Sequence, residues 1–302
     1  VLERFIEEFT KGQLGTSLLE EPLSKHTTFR VGGPAAVMVI PSSAESLVKA
    51  MNLITACGVP YKTIGRGSNL LPSDKRFEGV VVKCDKGMDH VSRDGNILTV
   101  GSGASTILLA KQAAKMGLSG LEFVSGIPGT IGGAIYMNAG AYKMEMKDIL
   151  KRVRIIDAQG ELRWLDNEEL GFSYRTSILQ VHRDWVIVEA ELALVPADGD
   201  EIMELMDSRR KRRKESQPLD MPSAGSTFRN PLPHASWKLV EDAGLRGYRI
   251  GGAQVSEKHC NFIVNVGGAT ATDIWELIQH VQKVVKETYG IDLHPEVEMF
   301  NW

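Results

Sequence analysis

The chain has 302 residues, with 38 acidic against 35 basic side chains and a formal net charge of −3, a balance that excludes a general electrostatic pull toward nucleic acid or an anionic membrane. Charged content of 24% and hydrophobic content of 43% are ordinary for a globular protein with room for two or three domains. Cys57, Cys84 and Cys260 stand far apart with no Cys-x-x-Cys, so no zinc or dithiol motif is recognisable, no metal is expected, and the usage fits a reducing cytosol.

Leu2, Phe5, Ile6 and Phe9, set among acids and bases, predict a short amphipathic helix rather than a signal peptide. A β-rich run follows from Ala36 to Ile40. Ser42-x-x-Glu45 is a capping-box signal for a helix that carries Leu47, Val48, Met51 and Ile54 and stops at Gly58. Tyr61 to Ile64 completes a β-α-β unit, which empties into Gly65-Arg66-Gly67-Ser68-Asn69-Leu70. Two glycines, a serine and an asparagine directly after a strand suit a diphosphate, with Arg66 nearby; an ordinary turn uses the same residues.

Val80–Lys83 and Ile97–Val100 read as strands, and 106–116 as a helix stopped by Gly117. The stretch from Gly120 to Tyr142 is the most unusual of the chain. After Glu122 it carries no charge until Lys143, and its glycines fall at 126, 129, 132, 133 and 140. Such a run can wrap a polyanionic cofactor with main-chain donors; a packed loop of small residues is the competing reading. Pro128, Thr130 and Asn138 make it a poor membrane span, and neither the Rossmann fingerprint nor the P-loop spacing is present.

Beyond it, 153–157 and 161–165 predict a hairpin, and 186–194 a strand. Asp200 to Lys214 predicts a helix whose basic end, Arg209 to Lys214, complements the helix dipole. After Pro218 and Pro222 come Ala224–Pro231, a helix over 234–243, a β-turn-β element over 251–265, and a long helix capped by Thr270-x-x-Asp273 and stopped by Gly290.

Taken together, His26–Gly33, Gly65–Asp74, Gly120–Tyr142, Phe172–Ser177, Ala224–Pro231, Gly247–Asn265 and His294–Glu298 resemble the UDP-N-acetylenolpyruvoylglucosamine reductase family, in order and over almost the whole chain. The resemblance implies an α+β fold: a two-subdomain FAD-binding module of the vanillyl-alcohol-oxidase type, and a C-terminal α+β substrate-binding domain. The expected division is 1–200 for the FAD module, split near 75, and 201–290 for the substrate domain, with the tail 291–302 packing back on the module. Between Ser226 and the last helix there is no room for the tyrosine-bearing insertion of the longer family form, so the shorter form is implied.

The resemblance also implies chemistry. The family uses NADPH and FAD to reduce the enolpyruvyl group of UDP-N-acetylglucosamine enolpyruvate; Cys84 and Cys260 fall outside the glycine-rich segments, so the FAD is expected to be non-covalent. Carried over, Arg175, Ser226 and Glu296 are the catalytic candidates. Arg175 offers a donor fork to a carboxylate on which charge grows, Ser226 a proton for carbon, and Glu296 a hydrogen bond to the intermediate. Cofactor contacts are expected from Arg30, Gly65, Arg66, Gly67, Ser68, Asn69, Leu70, Ser125, Gly126, Ile127, Pro128, Gly129, Gly132, Gly133, Asn138, Ala139 and Gly140. Substrate contacts are expected from Tyr174, Arg213, Gln217, Arg229 and Asn230. The chain is expected to be cytoplasmic and monomeric or weakly self-associating, with no nucleic-acid or membrane partner. Two other readings stay open: an oxidoreductase of the same flavin fold acting on an alcohol or 2-hydroxy acid, and a flavin-binding module without turnover.

Overall fold

The computed structural model describes residues 1–302, which fall into two compact units. The first comprises 1–19, 37–66 and 78–210; the second comprises 20–36, 67–77 and 211–302. The division is therefore not one cut near residue 200: two short segments of the N-terminal half cluster with the C-terminal third, as does the tail.

In the first unit, helix α1 (Leu2–Lys11) buries Phe5 and Phe9, spaced one turn apart. Helix α2 (Ala44–Cys57) starts one residue later than the capping box at Ser42 predicts. The N-cap is Ser43, whose hydroxyl accepts the Ser46 amide at 3.1 Å, while Ser42 bonds the Ser46 hydroxyl and Leu14 carbonyl instead. The α2 C-terminus is Gly58 at φ +63°, the left-handed stop that glycine permits. A four-stranded sheet lies alongside, in the order Gly15–Pro22, Pro34–Pro41, Phe77–Lys83, Tyr61–Ile64. Its last two strands are parallel, while helix α2 joins Pro34–Pro41 to Tyr61–Ile64 with Phe77–Lys83 lying between them in the sheet.

A second sheet of this unit runs in the order Leu162–Asp166, Leu150–Ile156, Val186–Ala193, Ile97–Gly101, Val91–Asp94, with neighbours antiparallel. Val186, Val188, Ala190 and Leu192 alternate into the core. The opposite face carries charge in register: Arg152 sits across from Glu191 and Arg154 across from Glu189, with Arg152 also 4.2 Å over the Trp164 ring. The core face is covered by residues of helices α3 (Thr106–Lys115), α4 (Ile131–Tyr136) and α5 (Gly199–Ser216). No helix of the chain is long and apolar enough to cross a membrane.

The second unit holds helix α6 (Ser236–Asp242), helix α7 (Ala271–Tyr289) and a three-stranded antiparallel sheet, Arg249–Ile250, Ala253–Val255 and Ile263–Asn265. Ile274, Leu277, Ile278, Val281 and Val285 form the buried stripe of α7. The Thr270–Asp273 capping box and the Gly290 stop stand where the sequence puts them. The tail strand Glu298–Phe300 pairs parallel with Leu70–Pro72. Asp74, just past that pair, receives the first amides of α7: Ala271 and Thr272 N–H both at 2.9 Å, with the Thr272 hydroxyl at 2.7 Å.

Asp74→Ala leaves those amides without their acceptor. It is expected to destabilise the protein by ~1 kcal/mol, the usual worth of an N-terminal cap, read as a lower urea midpoint at unchanged m-value.

Candidate active site

In the first unit the glycine-rich stretch is shaped by Thr130. Its hydroxyl accepts the Gly133 amide at 3.2 Å and caps α4. Gly65 passes so close that a Cβ there would lie 2.4 Å from the Thr130 hydroxyl, which makes glycine a steric requirement. The amides of Ser125, Ile127, Ile131, Gly132 and Gly133 are committed to acceptors inside the stretch or next to it. They are therefore not available as cofactor donors, against the expectation for 125, 127, 132 and 133. Gly126 and Gly129 donate to no main-chain acceptor, and Pro128 has no amide.

Asn138 corrects the reading more sharply. It is 0% exposed. Its Nδ2 donates to the Ser173 carbonyl at 2.9 Å and its Oδ1 accepts the Lys147 amide at 3.1 Å. A side chain with no accessible surface does not touch a ligand; Asn138 is a brace. The Ala139 amide is likewise committed, to the Ala134 carbonyl.

What Asn138 braces is the turn that carries Arg175. Ser173 and Thr176 exchange main-chain bonds of 3.1 and 3.0 Å, which puts Tyr174 and Arg175 at the tip. Arg175 has φ +54°, a left-handed conformation that is uncommon without glycine or asparagine and costs ~1 kcal/mol or more. Two further bonds hold it there. Gln180 Nε2 donates to the Arg175 carbonyl at 3.0 Å, and Arg175 Nη2 donates to the Gly140 carbonyl at 2.9 Å. The guanidinium carbon lies 5.1 Å from the exposed Tyr174 ring. At Gly140 a Cβ would sit 3.1 Å from Arg175 Nη1 and 2.6 Å from the Met144 carbonyl, so the flat approach needs glycine.

In the second unit, Gly67 has φ +63° and no room for a Cβ, which would come within 2.1 Å of the His26 carbonyl. The amides of Gly67 and Ser68, like that of Arg66 where the first unit's segment ends, have no main-chain acceptor. Asn69 is drawn elsewhere: Nδ2 donates to the Glu296 carbonyl at 3.0 Å, and its own carbonyl accepts the Glu298 amide at 2.9 Å. Leu70 is buried in the parallel strand pair. Arg30 is exposed, at φ +57°.

Ser226 and Glu296, remote in sequence, are brought together. Ser226 is exposed, between Gly225 at φ +72° and the buried Thr227. The Thr227 carbonyl accepts the Glu296 amide at 2.7 Å, Phe228 bridges Pro295, and the Arg229 amide reaches the His294 carbonyl at 2.9 Å. On the other edge, Thr227 N–H donates to the Asn261 carbonyl at 2.7 Å. The carboxamide of Asn261 pairs with both main-chain groups of Phe228, each at 3.0 Å. Among the substrate candidates, Arg213 clasps the Gln217 Oε1 through Nε and Nη2 at 3.1 and 3.0 Å. Asn230 Oδ1 accepts the Ser236 amide at 3.0 Å at the start of α6. Asn261, Gln180 and Thr130 escaped the sequence reading. Asn261 acts on main chain remote in sequence, which no local spacing signals; Thr130 is a local cap on Gly133, and Gln180 reaches back to the nearby Arg175 carbonyl.

Cys84 and Cys260 are buried, and Cys57 is half-buried. Burial pushes the Cys84 thiol up to about 11, and Cys260 is raised by the same cause. Neither is a reactive thiolate at neutral pH.

Compared with known proteins, residues 35–166 match an FAD binding domain, and residues 217–300 match the C-terminal domain of UDP-N-acetylenolpyruvoylglucosamine reductase. The chain is 50% identical over 298 residues to the UDP-N-acetylenolpyruvoylglucosamine reductase of Bacillus subtilis, covering 99% of this chain and 98% of that protein. It is 49% identical over 298 residues to the Bacillus licheniformis reductase, with the same coverage of 99% and 98%. The crystal structure of the Thermus caldophilus enzyme superposes with a TM-score of 0.80 at 35% identity, covering 95% of this chain and 98% of that one.

His259 sits beside the Ser226 segment. Its Nδ1 accepts the Asn261 amide at 3.2 Å, which fixes the neutral tautomer with the proton on Nε2. Burial, with the Arg246 charge adding to it, holds its pKa below the ordinary histidine value. The unfolded chain takes up a proton near pH ~6.5 that the folded chain refuses, so stability falls as pH drops through that range and is level above it. His259→Gln keeps an acceptor without the titration. Urea unfolding across about pH 5 to 8 should show a shallower acid slope in the variant than in the parent.

Proposed function

The chain belongs to the UDP-N-acetylenolpyruvoylglucosamine reductase family, and on that premise we propose that it reduces the enolpyruvyl group of UDP-N-acetylglucosamine enolpyruvate to give UDP-N-acetylmuramate, with FAD as bound cofactor and NADPH as hydride donor. The product is a cell-wall precursor. What carries the reading is the full-length likeness together with the joining of Ser226 to Glu296 through the Glu296 amide and the Thr227 carbonyl.

The residues present fit FAD. Uncommitted amides at Arg66, Gly67 and Ser68, with the Ser68 hydroxyl and the exposed Arg66 guanidinium, make a donor set for two phosphates. The amides of Gly126 and Gly129 add donors in the glycine-rich stretch. Cys84 and Cys260, buried and with their thiols pushed up, support non-covalent attachment. When bound, FAD would supply the hydride chemistry that links NADPH to the terminal enolpyruvyl carbon.

The chain's own residues handle what that delivery creates. Charge moves through the adjacent carbon into the carboxylate, and the Arg175 guanidinium is the donor fork for those oxygens. The left-handed backbone, the Gly140 carbonyl and Gln180 fix the root and head of that side chain before substrate arrives. Ser226 supplies the proton to the adjacent carbon, and the Glu296 carboxyl hydrogen-bonds the charged intermediate. Arg213, Gln217, Arg229 and Asn230 serve the nucleotide sugar. The donor amides at 66–68 and the segment 224–231 divide the work between cofactor and substrate. The segment from Ser226 to α7 is filled by α6 and the three-stranded sheet, in keeping with the shorter family form. NADPH and a nucleotide sugar are cytoplasmic metabolites, and we place the enzyme there.

The test is a visible spectrum of the purified protein under anaerobic conditions. Flavin bands should bleach with NADPH and return with the enolpyruvyl substrate. Bands that return only with oxygen would favour a different flavin oxidoreductase. Ser226→Ala should leave the bleaching rate within about twofold and slow the substrate-driven return by roughly 100-fold or more. Equal loss in both half-reactions would make Ser226 structural. Arg175→Lys should cut kcat by at least about 100-fold, because a point charge does not replace the fork; near-parental turnover would defeat that role.

A further inference from the structure

A serine hydroxyl delivers a proton to carbon only at a fixed distance and angle, yet Ser226 lies exposed after a left-handed glycine, a place where a chain drifts. Its own neighbours supply no rigidity by sequence. On one edge the Glu296 amide holds the Thr227 carbonyl; on the other the restraint comes from a single residue across the unit. Asn261 is 5% exposed and makes three hydrogen bonds to two consecutive residues: its carbonyl accepts Thr227 N–H, its Oδ1 accepts Phe228 N–H, and its Nδ2 donates to Phe228 C=O. The carboxamide thus stands in for the peptide group of a missing strand. Only one orientation of the amide satisfies both Phe228 groups, so its assignment follows from the network. Asn261 is itself seated by its amide on His259 Nδ1 at 3.2 Å.

We propose that Asn261 is the positioning residue for Ser226, holding the 227–228 backbone so that the Ser226 hydroxyl meets the proton-accepting carbon of the substrate. The inference rests on the assignment of Ser226 as the acid. The residue type is specific. Aspartate has no donor for the Phe228 carbonyl, leucine has neither group, and glutamine places both one methylene too far.

The experiment is a double-mutant cycle on the FAD-loaded protein, with Asn261→Asp, Ser226→Ala and the pair, each followed through both half-reactions. Asn261→Asp should slow the substrate-driven return of the flavin bands about 10- to 100-fold, leave bleaching by NADPH within about twofold, and add no further slowing once Ser226 is alanine. The dissociation constant for UDP-N-acetylmuramate, measured by calorimetry, should stay within about threefold, since the hydroxyl position and not the sugar site is disturbed. If Asn261→Asp does not fold, Asn261→Gln keeps donor and acceptor and gives the same pattern. Equal slowing of both half-reactions, or full slowing that persists in the Ser226→Ala background, would overturn the proposal and make Asn261 a stability residue. A Ser226→Ala protein with an intact return would instead remove the acid assignment, and the positioning role with it. A slow Ser226→Ala protein beside an unaffected Asn261→Asp would remove the positioning role alone.

Discussion

The bond from the Glu296 amide to the Thr227 carbonyl, 2.7 Å long, is the link on which the second unit's chemistry depends. It closes a ring of main-chain contacts. Asn69 holds the Glu296 carbonyl, the Glu298 amide returns to Asn69, and the strand beyond pairs in parallel with Leu70–Pro72. Asp74, two residues after that strand, receives the start of α7. The loop at 67–74, the serine segment and the tail are therefore one hydrogen-bonded object, and moving any of them moves the others. A buried main-chain group left without a partner costs ~1–3 kcal/mol, so each link is hard to break singly.

In the first unit the controlling constraint is steric. Gly65 and Gly140 each lie where a Cβ would collide, against Thr130 in one case and against Met144 and Arg175 in the other. Close approach and main-chain donation are consequences of the same missing atom. Arg175 shows the complementary device. A residue that can be left-handed only under strain is kept so by bonds to its own carbonyl and its guanidinium. The strain aims the side chain in advance, so less ordering remains when a carboxylate arrives.

Much of the framework was legible in the sequence, because caps and periodicity are local. The α7 capping box, its apolar stripe and its glycine stop need only twenty neighbouring residues, roughly five turns of helix. Ser43 rather than Ser42 at the α2 start is a one-residue error of the kind two adjacent serines invite. What sequence did not reveal was partnership at long range. The glycine-rich stretch stands out in the sequence, but the commitment of the Ile131 and Gly132 amides depends on Ala104 and Ser102, which no spacing rule connects to it. Asn138 read as a ligand contact for the same reason. A buried asparagine that satisfies a distant carbonyl and one facing a ligand have the same letter in the same kind of run.

The braces around the proposed catalytic groups share a chemistry that bears on why they work. Asn69 at Glu296, Asn261 at the Ser226 segment, and Asn138 and Gln180 at the Arg175 turn are all neutral carboxamides bonded to main chain. A charged side chain would hold the backbone as firmly. At 4 Å, however, a unit charge interacts with another by about 4 kcal/mol at an effective dielectric of 20. That is enough to shift a nearby carboxyl by roughly three pKa units or to occupy a guanidinium meant for substrate. Neutral braces fix geometry without adding a net charge, so the full charges felt by the growing carboxylate are those of the groups that act on it. Position and electrostatics are thereby set by different residues, and each can be exact without compromising the other.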